Sequence, residues 1–178
     1  VVTLGAPNRI TKLKLKEALL KWTKTFSAFK GKKIAVVVGG SNKRFEFNEK
    51  TVQSFVSDLK EVEKSAKASF LITTSRRTGQ AQEAMLQSAF ADKHYIWDGK
   101  GDNPYMGLLA SADAIVVTPD SVSMVSEAAS TGKPVYVWGL DDNMSLTNMG
   151  KFNTFYQALY KNGYIQPFSK ISQNTSKA

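Results

Sequence analysis

The stretch ADAIVVTPDSVSMVSEAASTGKPVYVWGL, from Ala112 to Leu140, decides the fold. It begins with a short apolar run, AIVVT (Ala114–Thr118), which Pro119 stops because proline has no N–H for a sheet ladder. Asp120 or Ser121 can then cap a helix spanning Ser121 to Thr131. At helical spacing Val122, Val125 and Ala129 share one face, expected to pack on a sheet, while Ser123, Glu127 and Ser130 share another. A second apolar run, PVYVW (Pro134–Trp138), follows. Short strands that are apolar throughout belong to a parallel sheet buried on both faces. The stretch is a β-α-β unit.

The same alternation extends outward. Upstream lie the strand IAVVV (Ile34–Val38), stopped by Gly39-Gly40, and a helix from Asn48 to Ala66 with Val52, Phe55, Val56, Leu59 and Val62 at helical spacing. SFLITT (Ser69–Thr74), a helix from Gly79 to Phe90, the strand HYIW (His94–Trp97) and a brief helix over Pro104–Ser111 complete that side. Downstream, a last helix is expected over Asn148–Lys161, and the tail SKISQNTSKA reads as polar and frayed. Ahead of everything a basic amphipathic helix spans Thr11–Ser27. Five alternations of strand and helix predict an α/β fold, a doubly wound parallel sheet with helices on both faces.

Composition narrows the function. The chain has 178 residues, 42% hydrophobic and 22% charged, enough for one domain with a real core. No cysteine is present, which excludes disulfides, cysteine–zinc clusters and thiol nucleophiles. His94 is the single histidine, and no apolar run approaches the length of a membrane-spanning helix. The net charge is +9, but residues 1–33 hold nine Lys/Arg and one acid, Glu17. The remainder, with 15 bases and 14 acids, is nearly neutral. Nucleic-acid domains usually spread their basic residues over a folded face, so nucleic acid is not expected as a partner. The start at Val1, reading as a strand end and loop, is taken to mean that an N-terminal domain precedes this segment.

In a doubly wound sheet ligands sit beyond the carboxyl ends of the strands. The loops there begin at Gly39, Thr74, Asp98, Pro119 and Gly139, and all are rich in polar residues. Gly39-Gly40 allows close backbone approach, with Ser41, Lys43 and Arg44 as donors; it is neither a P-loop nor a dinucleotide fingerprint, and a plain turn is the commoner meaning. Arg76-Arg77 can grip a diphosphate or be a solvated surface pair. The helix start after Thr118, with the Ser121 and Ser123 hydroxyls, can hold an anion, and Glu127 one turn on can accept both hydroxyls of a ribose. His94, at a strand start away from this rim, is read as structural, and Tyr136, Trp97 and Trp138 as core or pocket wall.

The order GGS after the first strand, then ADAIVVT-x-D-S, a helix carrying SEA, and TGKPVYV is similar to the C-terminal half of GT-B glycosyltransferases. The general likeness is strongest to the peptidoglycan GlcNAc transferase that makes lipid II. That resemblance puts the diphosphate at Gly40 and Ser41, the turn hydroxyls at Ser121 and Ser123, and the ribose at Glu127. Longer motifs resemble the mitochondrial-fission ELM-like (elongated mitochondria) family of bacteria and plants. They are TLGAPNRIT, VVVGGSNKRFEF, LITTSRRT, WDGKGDNPYMGLLASADAIVVTPDSVSMVSEAASTGKPVYVW and KFNTFYQAL. The family is GT-B-like, labelled either nucleoside-diphosphate-sugar epimerase or glycosyltransferase, and its plant member takes part in mitochondrial fission. In GT-B enzymes the acceptor site lies in the other domain. The residue touching the donor sugar would fall at Asp141 or Asp142, in a context too poorly matched to choose.

These readings divide the chain into a basic connecting segment with a helix (1–33), a Rossmann-like nucleotide-sugar-binding domain (34–165) and a polar tail (166–178). The expected function is the donor-binding half of a GT-B glycosyltransferase, inactive alone, with the nucleotide sugar as substrate and no cofactor or metal. Its site residues are Gly40, Ser41, Lys43, Arg76, Ser121, Ser123 and Glu127; the catalytic base is not assigned. The alternatives are an NDP-sugar epimerase on the same scaffold or a non-enzymatic adaptor in fission. The expected location is the cytoplasm, with the basic segment pointing to an anionic membrane surface, peripheral to the inner membrane, or to the domain cleft.

Overall fold

Apolar runs and helical stripes assemble as an alternating α/β chain in a computed structural model that describes residues 5–146 and 150–175. The elements are α1 (Lys12–Phe26), β1 (Lys33–Val38), α2 (Glu49–Ala66), β2 (Ser69–Thr74), α3 (Gln80–Phe90), β3 (Tyr95–Ile96) and α4 (Tyr105–Ser111). They continue as β4 (Ala114–Val117), α5 (Val122–Ala129), β5 (Val135–Val137), α6 (Lys151–Lys161), β6 (Gln166–Pro167), a 3-10 turn (Phe168–Lys170) and α7 (Ile171–Thr175). Side-chain caps fix three helix starts: Thr11 accepts the Lys14 N–H, Asn48 that of Thr51 and Ser121 that of Met124.

All neighbouring strands pair parallel, in the order β3-β2-β1-β4-β5-β6. That is the doubly wound Rossmann-type arrangement, whose winding reverses between β1 and β4. Alternate residues feed two cores. Ile34, Val36, Phe70, Ile72, Val116 and Tyr136 pack with α2, α3 and α7, whereas Ala35, Val37, Leu71, Ile115, Val117 and Val137 pack with α1, α4, α5 and α6. Parallel strands buried on both sides explain why β1 and β4 read as unbroken apolar runs.

The structure corrects the sequence reading at the carboxyl end. The stretch read as frayed is helical over 169–175, with Ile171 buried, and just ahead of it β6 pairs with β5. A two-residue strand carries no periodicity, and Pro167 suits it only because an edge strand can dispense with one ladder donor. On α5 the buried residues are Val125, Ser126 and Ala128, while Val122 is half-exposed, so the packing face is rotated from the expected one. The last helix begins at Lys151; the expected start, Asn148, lies outside the described residues.

Lys133 ties α4 to the sheet. Its ammonium donates to the carbonyls of Leu109, Ala110 and Ala112 at 2.8, 2.6 and 2.5 Å, closing the C-terminus of a helix that has no other basic cap. Burial pushes its pKa down, with Asp113 opposing. The α4 N-terminus, which carries Tyr105, is thereby positioned at the opposite end, beside the carboxyl edge of the sheet.

Candidate functional site

The crevice between β1 and β4 is where topology would place a ligand, and the chain itself fills it. The Gly39 N–H donates to Thr118 Oγ1 at 2.9 Å, and the Gly40 N–H to Asp120 Oδ2 at 3.0 Å. Asp120 also accepts from Thr118 Oγ1 at 2.6 Å and from Arg77 Nη2 at 2.8 Å, and its side chain is fully buried. Asn42 Nδ2 reaches the Asp120 carbonyl at 2.9 Å. A neighbouring loop locks in as well, because the Ser75 and Thr78 hydroxyls both donate to the Gly39 carbonyl. Side chains at these glycines are impossible: a Cβ on Gly39 would lie 2.0 Å from the Asp120 carboxylate, and one on Gly40 would lie 2.0 Å from the Arg77 carbonyl. The Gly40 amide, expected to face a diphosphate, donates to Asp120 in this structure. The glycines admit the chain's own backbone and a buried carboxylate.

An open cleft of about 520 Å³ lies one position along, over the ends of β1, β2 and β3. Val38, Thr74, Ser75, Arg76, Glu83, Trp97, Asp98, Asn103, Tyr105 and Met124 are among the residues that line it. Tyr105 OH donates to Glu127 Oε2 at 2.6 Å, which pins the carboxylate of α5 against the start of α4. Burial first, and then Glu127, push the Tyr105 phenol far above its usual range, so it stays a protonated donor. Thr74 Oγ1 donates to Glu83 Oε1 at 2.9 Å. Trp97 Nε1 donates to the Lys100 carbonyl, which anchors the indole at the cleft wall. Chemically the cleft combines one exposed arginine, two carboxylates and an aromatic plate.

The residues singled out in the sequence separate accordingly. Arg76 lines the cleft, and Glu127 stands behind Tyr105. Ser121 and the exposed Ser123 begin α5 just ahead of Met124, which lines the same cleft. Ser41 Oγ accepts the Phe47 N–H, and Lys43 is exposed in the β1–α2 loop; neither lines the cleft. Of the two adjacent arginines, Arg77 is half-exposed but paired with the buried Asp120, and Arg76 lines the opening. Asp141 and Asp142 build turns, Asp141 accepting two backbone N–H groups and Asp142 the Ser169 hydroxyl.

His94 is structural, as its strand-start position implied. It is buried, Nδ1 accepts the Phe70 N–H at 3.0 Å, and the ring packs on Phe70 and Phe90. Trp138 is buried with its indole N–H on Asp58, and Tyr136 lies in the core. Sequence reasoning missed Tyr105 and Glu83. Tyr105 falls in the DNPYMG motif, but its partner is 22 residues away, and only the assembled fold joins them.

The model of the family described as Mitochondrial fission ELM1 matches residues 1–178. Mitochondrial fission protein ELM1 of Arabidopsis thaliana is 34% identical over 171 residues, covering 95% of this chain and 39% of that protein. Uncharacterized protein RP120 of Rickettsia prowazekii (strain Madrid E) is 40% identical over 138 residues, covering 75% of this chain and 38% of that one. The chain thus spans well under half the length of these relatives. Among solved structures, a Listeria monocytogenes protein provisionally titled UDP-N-acetylglucosamine 2-epimerase aligns over 96% of this chain and 44% of its own, at 12% identity and a TM-score of 0.47. That likeness is too loose to carry an argument.

Proposed function

The chain belongs to the mitochondrial fission ELM1 family, and from that premise we propose that it holds the nucleoside diphosphate of a sugar donor in the cleft over β1, β2 and β3. The observation that carries the reading is an opening over the carboxyl ends of the central parallel strands, lined by an exposed arginine and by a tyrosine that hydrogen-bonds a carboxylate. In this reading Arg76 pairs with the diphosphate, helped by the Ser121 and Ser123 hydroxyls at the start of α5 and by Lys43 from the adjoining loop. Glu127 accepts hydrogen bonds from the ribose diol, with Tyr105 fixing the carboxylate's orientation. Transfer to an acceptor would then rest on positioning and on stabilising the diphosphate as it leaves, as in a GT-B-type glycosyltransferase. An epimerase would use the same donor contacts.

The test is calorimetric titration of the full-length protein with UDP and GDP. Saturable binding, weakened at least about tenfold by Arg76→Ala and by Glu127→Ala, is the expected result, since each removes a charged hydrogen bond. If neither nucleotide binds, the donor reading fails. The name of the Arabidopsis thaliana relative then favours the second reading, a fission-associated adaptor whose cleft is unused.

A further inference from the structure

Among the described residues, helix α1 packs on the fold through one face. Leu15, Trp22 and Phe26 pack into the core with α4, and Trp22 comes close because Gly107 has no side chain: a Cβ there would lie 2.3 Å from the indole. Lys21 adds an ion pair of 2.5 Å to Asp102, in the loop that borders the donor cleft. The opposite face has different chemistry. Leu13 and Leu20, seven residues apart and so aligned along the helix, are 66% and 72% exposed. Lys12, Lys14, Lys16 and Lys24 are exposed around them, against the single acid Glu17.

We propose that this outer face of α1 docks on an anionic lipid bilayer, Leu13 and Leu20 entering the headgroup layer and the lysines contacting acidic headgroups. Two observations carry it independently. The excess charge of the chain is concentrated in residues 1–33 while the rest is nearly neutral, so attraction to a negative surface would orient the molecule with α1 foremost. The two aligned, exposed leucines are what such a surface takes up, and flanking lysines suit it because their stems lie along apolar surface while the ammonium stays in water. A protein partner fits less well, since the centres of protein interfaces are depleted in lysine. No helix among the described residues is long and apolar enough to cross a membrane, so the contact would be peripheral. Through the Lys21–Asp102 pair the donor cleft's border loop would lie close to the bilayer.

Co-sedimentation of the full-length protein with phosphatidylcholine vesicles, plain or carrying about 30% phosphatidylserine, tests this. Binding is expected to the acidic vesicles only and to weaken with added salt. Replacing Lys12, Lys14, Lys16 and Lys24 by glutamine should lower affinity at least about tenfold, while arginine at the same positions should retain it. Leu13→Ser with Leu20→Ser should lower affinity several-fold with only a small fall in the thermal midpoint, because both side chains are exposed and serine costs little beyond its weaker helix propensity. Three results would overturn the proposal: equal binding to neutral vesicles, glutamine variants that bind as the parent does, or a dimer in gel filtration that the double serine variant abolishes. Nucleotide titration is unaffected by any of them, so this test and that of the donor site fail separately.

Discussion

The crevice between β1 and β4 and the cleft over β1, β2 and β3 share one edge of one sheet, and both are bordered by loops rich in glycine, serine and basic residues. The first is closed by Asp120, which accepts from Gly40, Thr118 and Arg77; the second is open and walled by Arg76, Trp97 and Tyr105. Two adjacent arginines divide between them. Glycine after a strand signals close approach of something, and here the something is the chain itself. Polar character alone does not distinguish a ligand loop from a self-locking one; what does is whether every donor already has an internal acceptor.

Asp120→Ala is the sharpest way to break that comparison. It would leave the Gly40 amide and the Thr118 hydroxyl, both buried, without their acceptor, at a cost of about 3 kcal/mol, while the half-exposed Arg77 guanidinium can turn to water. Urea unfolding should show the loss, and Asp120→Asn should restore part of it. Nucleotide affinity of the folded fraction should be unchanged. If instead binding disappears while stability holds, the switch point is the ligand site and the cleft is incidental.

Lys133→Met comes next. It keeps the aliphatic stem but removes the ammonium from three carbonyls at the end of α4, and should cost about 2–3 kcal/mol in urea unfolding. Because α4 carries Tyr105, the loss should appear as faster amide exchange in α4 and at the cleft, with the β1–β4 lock unmoved. Uniform loosening of both regions would show that the two are not independent.

How much of this was legible follows from the range of the forces. The apolar runs of β1, β2 and β4, and the stripe Val52, Phe55, Leu59, Val62 of α2, are local patterns, and they placed the doubly wound sheet within a residue or two. The sixth strand was invisible because two residues have no period and their place is set by β5. The site was legible in residue type but not in allegiance. Gly40 could not be assigned to Asp120, 80 residues on, nor Glu127 to Tyr105, since these pairings exist only once the sheet is wound. The Arg76-Arg77 pair was left open between diphosphate and surface, and the fold gives the two residues different surroundings.

Tyr105→Phe probes the open side with a smaller effect. Losing a donor to Glu127 should cost about 1–2 kcal/mol. Under the donor reading Glu127→Ala weakens nucleotide binding at least about tenfold, whereas Tyr105→Phe, which leaves the carboxylate in place, changes affinity only a few-fold. Equal stability losses in both variants with no change in binding would make Glu127 a support for Tyr105 and take the ribose role from it.

The smallest effect lies at the far end of β3. His94 Nδ1 accepts the Phe70 N–H, so its proton sits on Nε2, 3.3 Å from Glu63 Oε1 but not aligned as a good hydrogen bond. Burial lowers its pKa below the ordinary 6.5, outweighing Glu63 and Asp92, which raise it; Lys93 lowers it further. The unfolded chain therefore binds the proton more readily than the folded one. Stability should fall as the pH drops through 6.5 toward the folded value and be fully present above 6.5. One proton bounds the change to under about 1 kcal/mol between pH 7 and pH 6, read from urea midpoints. His94→Asn, which keeps an acceptor but cannot titrate, should flatten the slope. Because β3 leads directly into Trp97, which lines the cleft, and β1 and β4 lie further into the sheet, acid should raise amide exchange around the cleft before it reaches the Asp120 lock. Simultaneous opening of both would mean that the sheet edge behaves as one cooperative unit, with the cleft open only because no side chain happens to fill it.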